Sequence, residues 1–384
     1  MRAQRKEISQ ARSYIKSGKE LAKAEEILRK VIDNDSVSRN DPRVHSYLLQ
    51  AIEKQYAEGN EKLYLKQKYD TTVLFSLTKK LFDVAQRLDS LDSCPNKKGE
   101  VKTKYRTKNA AMLDNCRTNL FFGGTFHLRK GNYEEAFSLF DIYINSSDSP
   151  MFAGYNYSVT DRRLPEAGYW ASYSAANLDN PQLVLKHARL AERDTSKLSY
   201  ILMYEAEAYS KLGDTEAYVE ALKRGFELYP TFQFFFPHLI DHFLGNDDLE
   251  EALALADRAV AVDSTSILFL YAKSNVLLNM GKNDECIDVT KRIVELNDTL
   301  AEPYYNIGMA FLNKVVLMEK SHERNDKNTV KAIYRQAMPY LEKYRVLAPD
   351  EKKKWAPALY RVYLNLNMGK QFDEIDRIIN EVNP

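Results

Sequence analysis

Along most of the chain, apolar residues return at intervals of three and four, the spacing that places them on one face of a helix. Leu21, Ala24, Ile27, Leu28, Val31 and Ile32 form one such stripe, and 7–16, 44–56 and 72–88 carry others. Short polar phrases interrupt the pattern: Lys130-Gly131-Asn132-Tyr133-Glu134-Glu135-Ala136, Leu212-Gly213-Asp214-Thr215-Glu216-Ala217-Tyr218, Gly245-Asn246-Asp247-Asp248-Leu249-Glu250-Glu251-Ala252 and Met280-Gly281-Lys282-Asn283-Asp284-Glu285-Cys286. Glycine or asparagine tolerates the left-handed conformation that ends a helix, and acidic residues favour the next N-terminus. Each phrase predicts a tight turn between two antiparallel helices.

A register emerges from the residues at which the second helices cross their partners: Ala136, Val184, Tyr218, Ala252, Cys286, Ala337 and Ile375, separated by 48, 34, 34, 34, 51 and 38 positions. Twelve places before these anchors stand Gly124, Ser172, Ala206 and Ser274, small enough for close helix approach, with Ile240 the departure. Nine places before stand Tyr209, Phe243 and Leu277, while His127 and Ala175 depart; Pro230 and Pro349 close second helices. With its 34-residue period the pattern resembles the tetratricopeptide repeat family, bacterial type. The resemblance covers 117–313 and 330–384 and fades before 107. It implies an all-α, right-handed superhelical solenoid of antiparallel helix pairs, with roughly ten stacked hairpins in a chain of this length.

The irregular spacings predict the organisation. Degenerate N-terminal hairpins fill 1–91, a linker with Pro95, Gly99, Lys97, Lys98, Lys102, Lys104, Arg106 and Lys108 occupies 92–109, and the array runs over 110–384. Insertions fall near 145–165, where Ser, Asp, Gly, Pro and tyrosines predict a surface loop, and near 314–330, where a taller hairpin with a charged link at Ser321–Lys327 is expected.

In tetratricopeptide proteins the first helices line a concave groove that binds partners. Carried over by counting back from the anchors, that resemblance implies Phe121, Tyr169, Met203, Pro237 and Tyr271 at fifteen places, Thr125, Tyr173, Glu207, Asp241 and Asn275 at eleven, and Arg129, Asn177, Lys211, Gly245 and Asn279 at seven. Alignment on Gly308 adds Tyr305, Met309 and Asn313. The surface is rich in phenols and amides. Asparagine both donates and accepts, which suits the backbone of an extended peptide. It does not resemble the Lys, Asn and Arg clamp that grips a terminal carboxylate. The expected partner is therefore a protein or extended peptide, in a non-catalytic scaffold. A self-assembling homo-oligomer is the alternative.

Composition narrows this further. Gly 14 plus Pro 12 is scarce for 384 residues and disfavours sandwiches, barrels and glycine-looped nucleotide folds, while 25 Tyr and 17 Phe supply a core. Charge is balanced at +1, so no overall field draws the chain to nucleic acid, and no run of apolar residues reaches the ~20 needed for a membrane span. No phosphate loop, nucleophile elbow, HExxH or EF-hand pattern occurs, and no cofactor is expected. His238 and His242 share a helix face and could hold a metal in a less favoured enzymatic reading, though no third ligand is identifiable, so no metal site is expected. Cys94 and Cys116 could pair in an oxidising compartment, whereas Cys286 suits helix crossing. The segment Met1-Arg2-Ala3-Gln4-Arg5 reads as cytoplasmic if Met1 is the true start, and as periplasmic or exported if a signal peptide has been removed.

Overall fold

The computed structural model describes residues 2–95, 99–320 and 327–382; Lys97, Lys98 and most of the charged link at Ser321–Lys327 lie outside them. Among the described residues there are 21 α-helices and no strand. The turn chemistry accounts for much of this. Gly213 ends the helix Leu198–Leu212 at φ 74, a left-handed conformation that costs glycine little. In the phrase at 245 the glycine plays a different part: Gly245 is the last residue of the helix Phe235–Gly245, and Asp247 takes the left-handed conformation at φ 61. N-caps are supplied by Asp41, Asp70, Asn180 and Ser266, whose side chains accept from the first-turn N–H groups.

The chain forms two compact units, Met1–Ala221 and Leu222–Pro384, with the division inside the helix Thr215–Leu228. In the first unit, hairpins pair Arg2–Ser17 with Leu21–Asn34, Pro42–Tyr64 with Thr71–Asp92, Arg106–Arg129 with Tyr133–Asn145, and Leu164–Asn177 with the short Pro181–Lys186 and Ala188–Ala191. Leu198–Leu212 packs on Leu164–Asn177 and Pro181–Lys186. The second unit pairs Phe235–Gly245 with Leu249–Val262, Ile267–Asn279 with Asn283–Leu296, Ala301–Lys320 with Lys327–Leu347, and Lys352–Leu366 with Gly369–Val382. Among the described residues eight hairpins are paired within the two units, and the helices Ala301–Lys320 and Lys327–Leu347, of 20 and 21 residues, make one of them taller than the rest.

The register holds at the level of atoms. Ala136, Ala252, Cys286, Ala337 and Ile375 are fully buried and Val184 nearly so, whereas Tyr218 is half-buried. Ser172 Oγ donates to the Val184 carbonyl at 3.0 Å, and Cys286 Sγ meets the Ser274 carbonyl at 3.3 Å, each across the expected twelve residues. Gly124 lies over the Phe140 ring so closely that a Cβ there would be 2.6 Å from Cζ. These contacts draw the two helices of a hairpin together.

The segment near 145–165 is not simply a surface loop. Two 3-10 turns, Ser146–Asp148 and Pro150–Phe152, and the short helix Tyr157–Thr160 bury Met151, Phe152 and Tyr157. Arg117, 4% exposed, holds the segment. Its guanidinium lies between the Tyr143 and Tyr157 rings, 3.9 and 4.0 Å from their centroids, and donates to Ser146 Oγ at 2.8 Å, Asp161 Oδ2 at 2.6 Å and the Tyr143 carbonyl at 3.1 Å. Tyr143 also donates to Asp161, and Tyr157 to Asp114. A buried guanidinium is tolerable only with such complete pairing.

Candidate partner-binding faces

In the second unit Ile267–Asn279, Ala301–Lys320 and Lys352–Leu366 are neighbours, and their side chains form an amide and phenol row. Asn306, 4% exposed, donates through Nδ2 to Asn275 Oδ1 at 2.6 Å and to Ser274 Oγ at 3.1 Å. Burial pushes the Tyr271 phenol up, and the Asn275 amide, one turn along the same helix, partly offsets the shift. Beyond it, Glu302 accepts from Lys354 at 3.2 Å and from the Tyr344 hydroxyl at 3.4 Å, and Tyr305 packs on Tyr344 at 5.0 Å between centroids. The bond to Glu302 holds the Lys354 ammonium above its ordinary range, and burial pushes the Tyr344 phenol up to about 12. Both stay protonated throughout the neutral range and act as donors.

Of the side chains expected on this face, Tyr271, Asn275, Tyr305, Met309 and Asn313 are half-buried and Asn279 is exposed, so each keeps surface for a ligand. Asp241 is also exposed, on Phe235–Gly245.

The first unit is aromatic instead. Arg106–Arg129, Leu164–Asn177 and Leu198–Leu212 are neighbours and present Thr125, Tyr173, Met203 and Glu207 half-buried, with Arg129, Asn177 and Lys211 exposed. Lys211 is ion-paired with Asp179, and Asn177 Nδ2 donates to the Tyr173 carbonyl at 2.9 Å. Phe121 and Tyr169 turn inward, at 6% and 7% exposure; Phe121 packs edge-on to Phe140 at 5.7 Å. The counting also passed over a set of side chains. One position after the fifteen-back place, fourteen before the anchor, stand Phe122, Trp170 and Tyr204, with His238, Ala272 and Asn306 in the second unit. Phe122 is 47% exposed, with the Arg163 guanidinium 5.4 Å from its ring centre. The signal was available, because helical spacing puts this place beside the eleven-back residue on one face.

The histidines are engaged separately. His238 donates from Nδ1 to the Phe234 carbonyl at 2.7 Å and stacks on the Phe234 ring at 4.1 Å, while His242 Nε2 lies 3.2 Å from Asn246 Nδ2. Among the described residues no group of three side chains could hold a metal ion, and no helix is long and apolar enough to cross a membrane.

All three cysteines are free, so Cys94 and Cys116 are not paired: Cys94 is exposed and Cys116 buried. Burial pushes the Cys116 thiol up to about 12 and that of Cys286 up to about 11. Thiolate is the reactive form. Iodoacetamide at pH 8 is therefore expected to modify Cys94 alone in the folded chain and all three cysteines in guanidinium, as read by intact mass; equal rates at Cys94 and Cys116 would contradict this packing.

Solved structures similar to the chain include the C-terminal part of a TPR repeat-containing protein from Cytophaga hutchinsonii, at 14% identity and TM-score 0.46, covering 67% of this chain and 93% of that one. YrrB, described as a TPR protein with an unusual peptide-binding site, matches at 14% identity and TM-score 0.36, covering 52% of this chain and 93% of its own. Yeast Tom70 matches at 12% identity and TM-score 0.35, covering 99% of this chain and 91% of its own. No family model and no curated protein matches the sequence. On its own contacts, the chain is an all-α helical-repeat protein whose central hairpins keep the tetratricopeptide spacing.

Proposed function

We propose that the chain is a non-catalytic scaffold that binds a protein or an extended peptide along the first-helix faces of its hairpins. The observation that carries this reading is the row from Tyr271 through Asn275 to Asn306, in which one amide is locked by its neighbours while another stays half-exposed. An amide held this way presents a donor and an acceptor at fixed positions, the pattern that a peptide backbone repeats. Prior fixing of the side chain lowers the entropy lost on binding.

The test is a pair of changes, Tyr271→Ala and Asn275→Ala, with extended peptides selected from a random library on the wild-type chain. The double variant is expected to bind them about tenfold more weakly or worse, with a small change in melting temperature. Unaltered affinity alongside a large fall in melting temperature would assign both residues to the core and remove the groove.

Self-association through end hairpins has less support. The first helix exposes Arg5, Lys6, Ser9, Gln10, Arg12 and Lys16, and the last exposes Lys370, Asp373, Glu374 and Arg377, faces that offer a second copy polar rather than apolar contact. A monomer across a wide concentration range is the expected light-scattering result; a mass rising with concentration would favour the alternative.

A further inference from the structure

The aromatic face of the first unit has a chemistry that the amide row lacks. Tyr133, Tyr169, Trp170, Tyr173 and Tyr204 form a continuous cluster with neighbouring ring centroids 4.8 to 6.5 Å apart. Trp170 meets Tyr173 at 88°, Tyr133 meets Tyr173 at 70°, and Tyr204 meets Tyr173 at 67°. Rings set edge to face in this way make notches rather than a flat patch.

The surface therefore offers ring faces and O–H donors. An ordinary extended strand also presents an N–H at each residue and needs acceptors, a need that asparagines meet and phenols meet poorly. Proline has no N–H. In the polyproline II conformation its carbonyls are unpaired and its rings project at regular intervals, a shape received by aromatic-lined grooves. Charge adds a second requirement. Glu166, exposed, accepts from the Trp170 indole at 3.2 Å, and Glu207, half-buried, lies near Tyr204. Among the described residues neither carboxylate is ion-paired, so each can take a cation from outside.

We propose that this cluster receives an extended proline-rich segment carrying a lysine or arginine, the prolines lying in the notches around Tyr173 and the cation reaching Glu166 or Glu207. The proposal rests on the peptide-binding reading and specifies the partner. The chain has two tryptophans, Trp170 and Trp355, so Trp355→Phe leaves Trp170 as the sole indole reporter in the full-length protein. Two synthetic peptides of about twelve residues, enough for several polyproline turns, serve as probes. One is a proline run with a single arginine, and the other keeps the arginine but replaces each proline with alanine or serine.

The proline peptide is expected to shift Trp170 emission saturably and to bind about tenfold more tightly than its control. Tyr173→Ala should remove that preference, and Glu207→Gln should weaken binding and flatten its salt dependence while leaving the circular dichroism unchanged. If Tyr173→Ala unfolds the chain, Glu207→Gln carries the test. Equal binding of both peptides overturns the proposal and leaves the scaffold reading standing. Failure of the proline peptide to bind, or binding undisturbed by Glu207→Gln and Tyr173→Ala alike, also overturns it.

Discussion

Arg117→Met is expected to destabilise the first unit by about 3–5 kcal/mol, the usual cost of removing one member of a buried ion pair. The change removes the cation that joins Ser146, Asp161 and the Tyr143 carbonyl, and it leaves the Asp161 carboxylate with only the Tyr143 hydroxyl and the Arg163 N–H as donors. For a unit of 221 residues this corresponds to a fall of roughly 10 °C in melting temperature. Cleavage by a dilute protease should appear between Ser147 and Arg162, because the chain there is fastened by the same guanidinium. A melting temperature within about 2 °C of wild type would show that the network contributes little.

The same site predicts an acid response with a definite sign. Burial pushes the Asp161 carboxyl up, but hydrogen bonds from Tyr143 and Arg117 outweigh it and hold the group below its ordinary range. A carboxyl with a depressed folded value stabilises fully above its unfolded value of about 3.9, and that contribution fades as pH falls through the folded value. Wild type should therefore lose stability below about pH 4 more steeply than Asp161→Asn. Parallel melting curves for the two across that range would refute the assignment.

Gly225→Ala is expected to cost about 1–3 kcal/mol, large for the addition of one methyl group. The new Cβ would lie 2.2 Å from Phe235 Cε1. Phe235 is fully buried and bounded by the rings of Phe232 and Phe234, at 5.4 and 5.6 Å, so it has little room to yield. Combining the change with Phe235→Leu should return part of the loss, and chemical denaturation of wild type and the three variants gives the coupling, about 0.5–3 kcal/mol. Gly245→Ala is the control: nothing lies within 4 Å of a Cβ there, and its φ is not positive. It should stay within about 0.5 kcal/mol of wild type.

Much of the hairpin register was legible because it depends on local spacing. Ala252, Cys286 and Ala337 are fully buried where a small or modest side chain at the crossing was expected, and Ser172 and Ser274 touch their anchors twelve residues on. Tall helices at Ala301–Lys320 and Lys327–Leu347 were likewise written in an unbroken apolar period. The packing of 146–161 was not legible. Its organiser is a single arginine 44 residues before Asp161, and a lone arginine inside a helical pattern looks like any solvated one. The candidate faces were read partially, because a count along one row of the helix missed the adjacent row that holds Trp170, Tyr204 and Asn306. Phe121 and Tyr169 sit where that face turns under the next hairpin, which is why they are buried while Tyr173 is not.

The contact between Ser172 and Val184 also bears on how freely the side chains around the same helix can vary. At 3.6 residues per turn, Ser172 and Trp170 lie about 200° apart around one helix. The side chain that closes the hairpin and the indole of Trp170 are therefore on nearly opposite sides of it. Substitutions at Phe122, Trp170 and Tyr204 can alter that side without disturbing the closures at Gly124, Ser172 and Ala206. A hairpin in such an array is a unit of evolutionary exchange, in which one face can drift while architecture stays fixed.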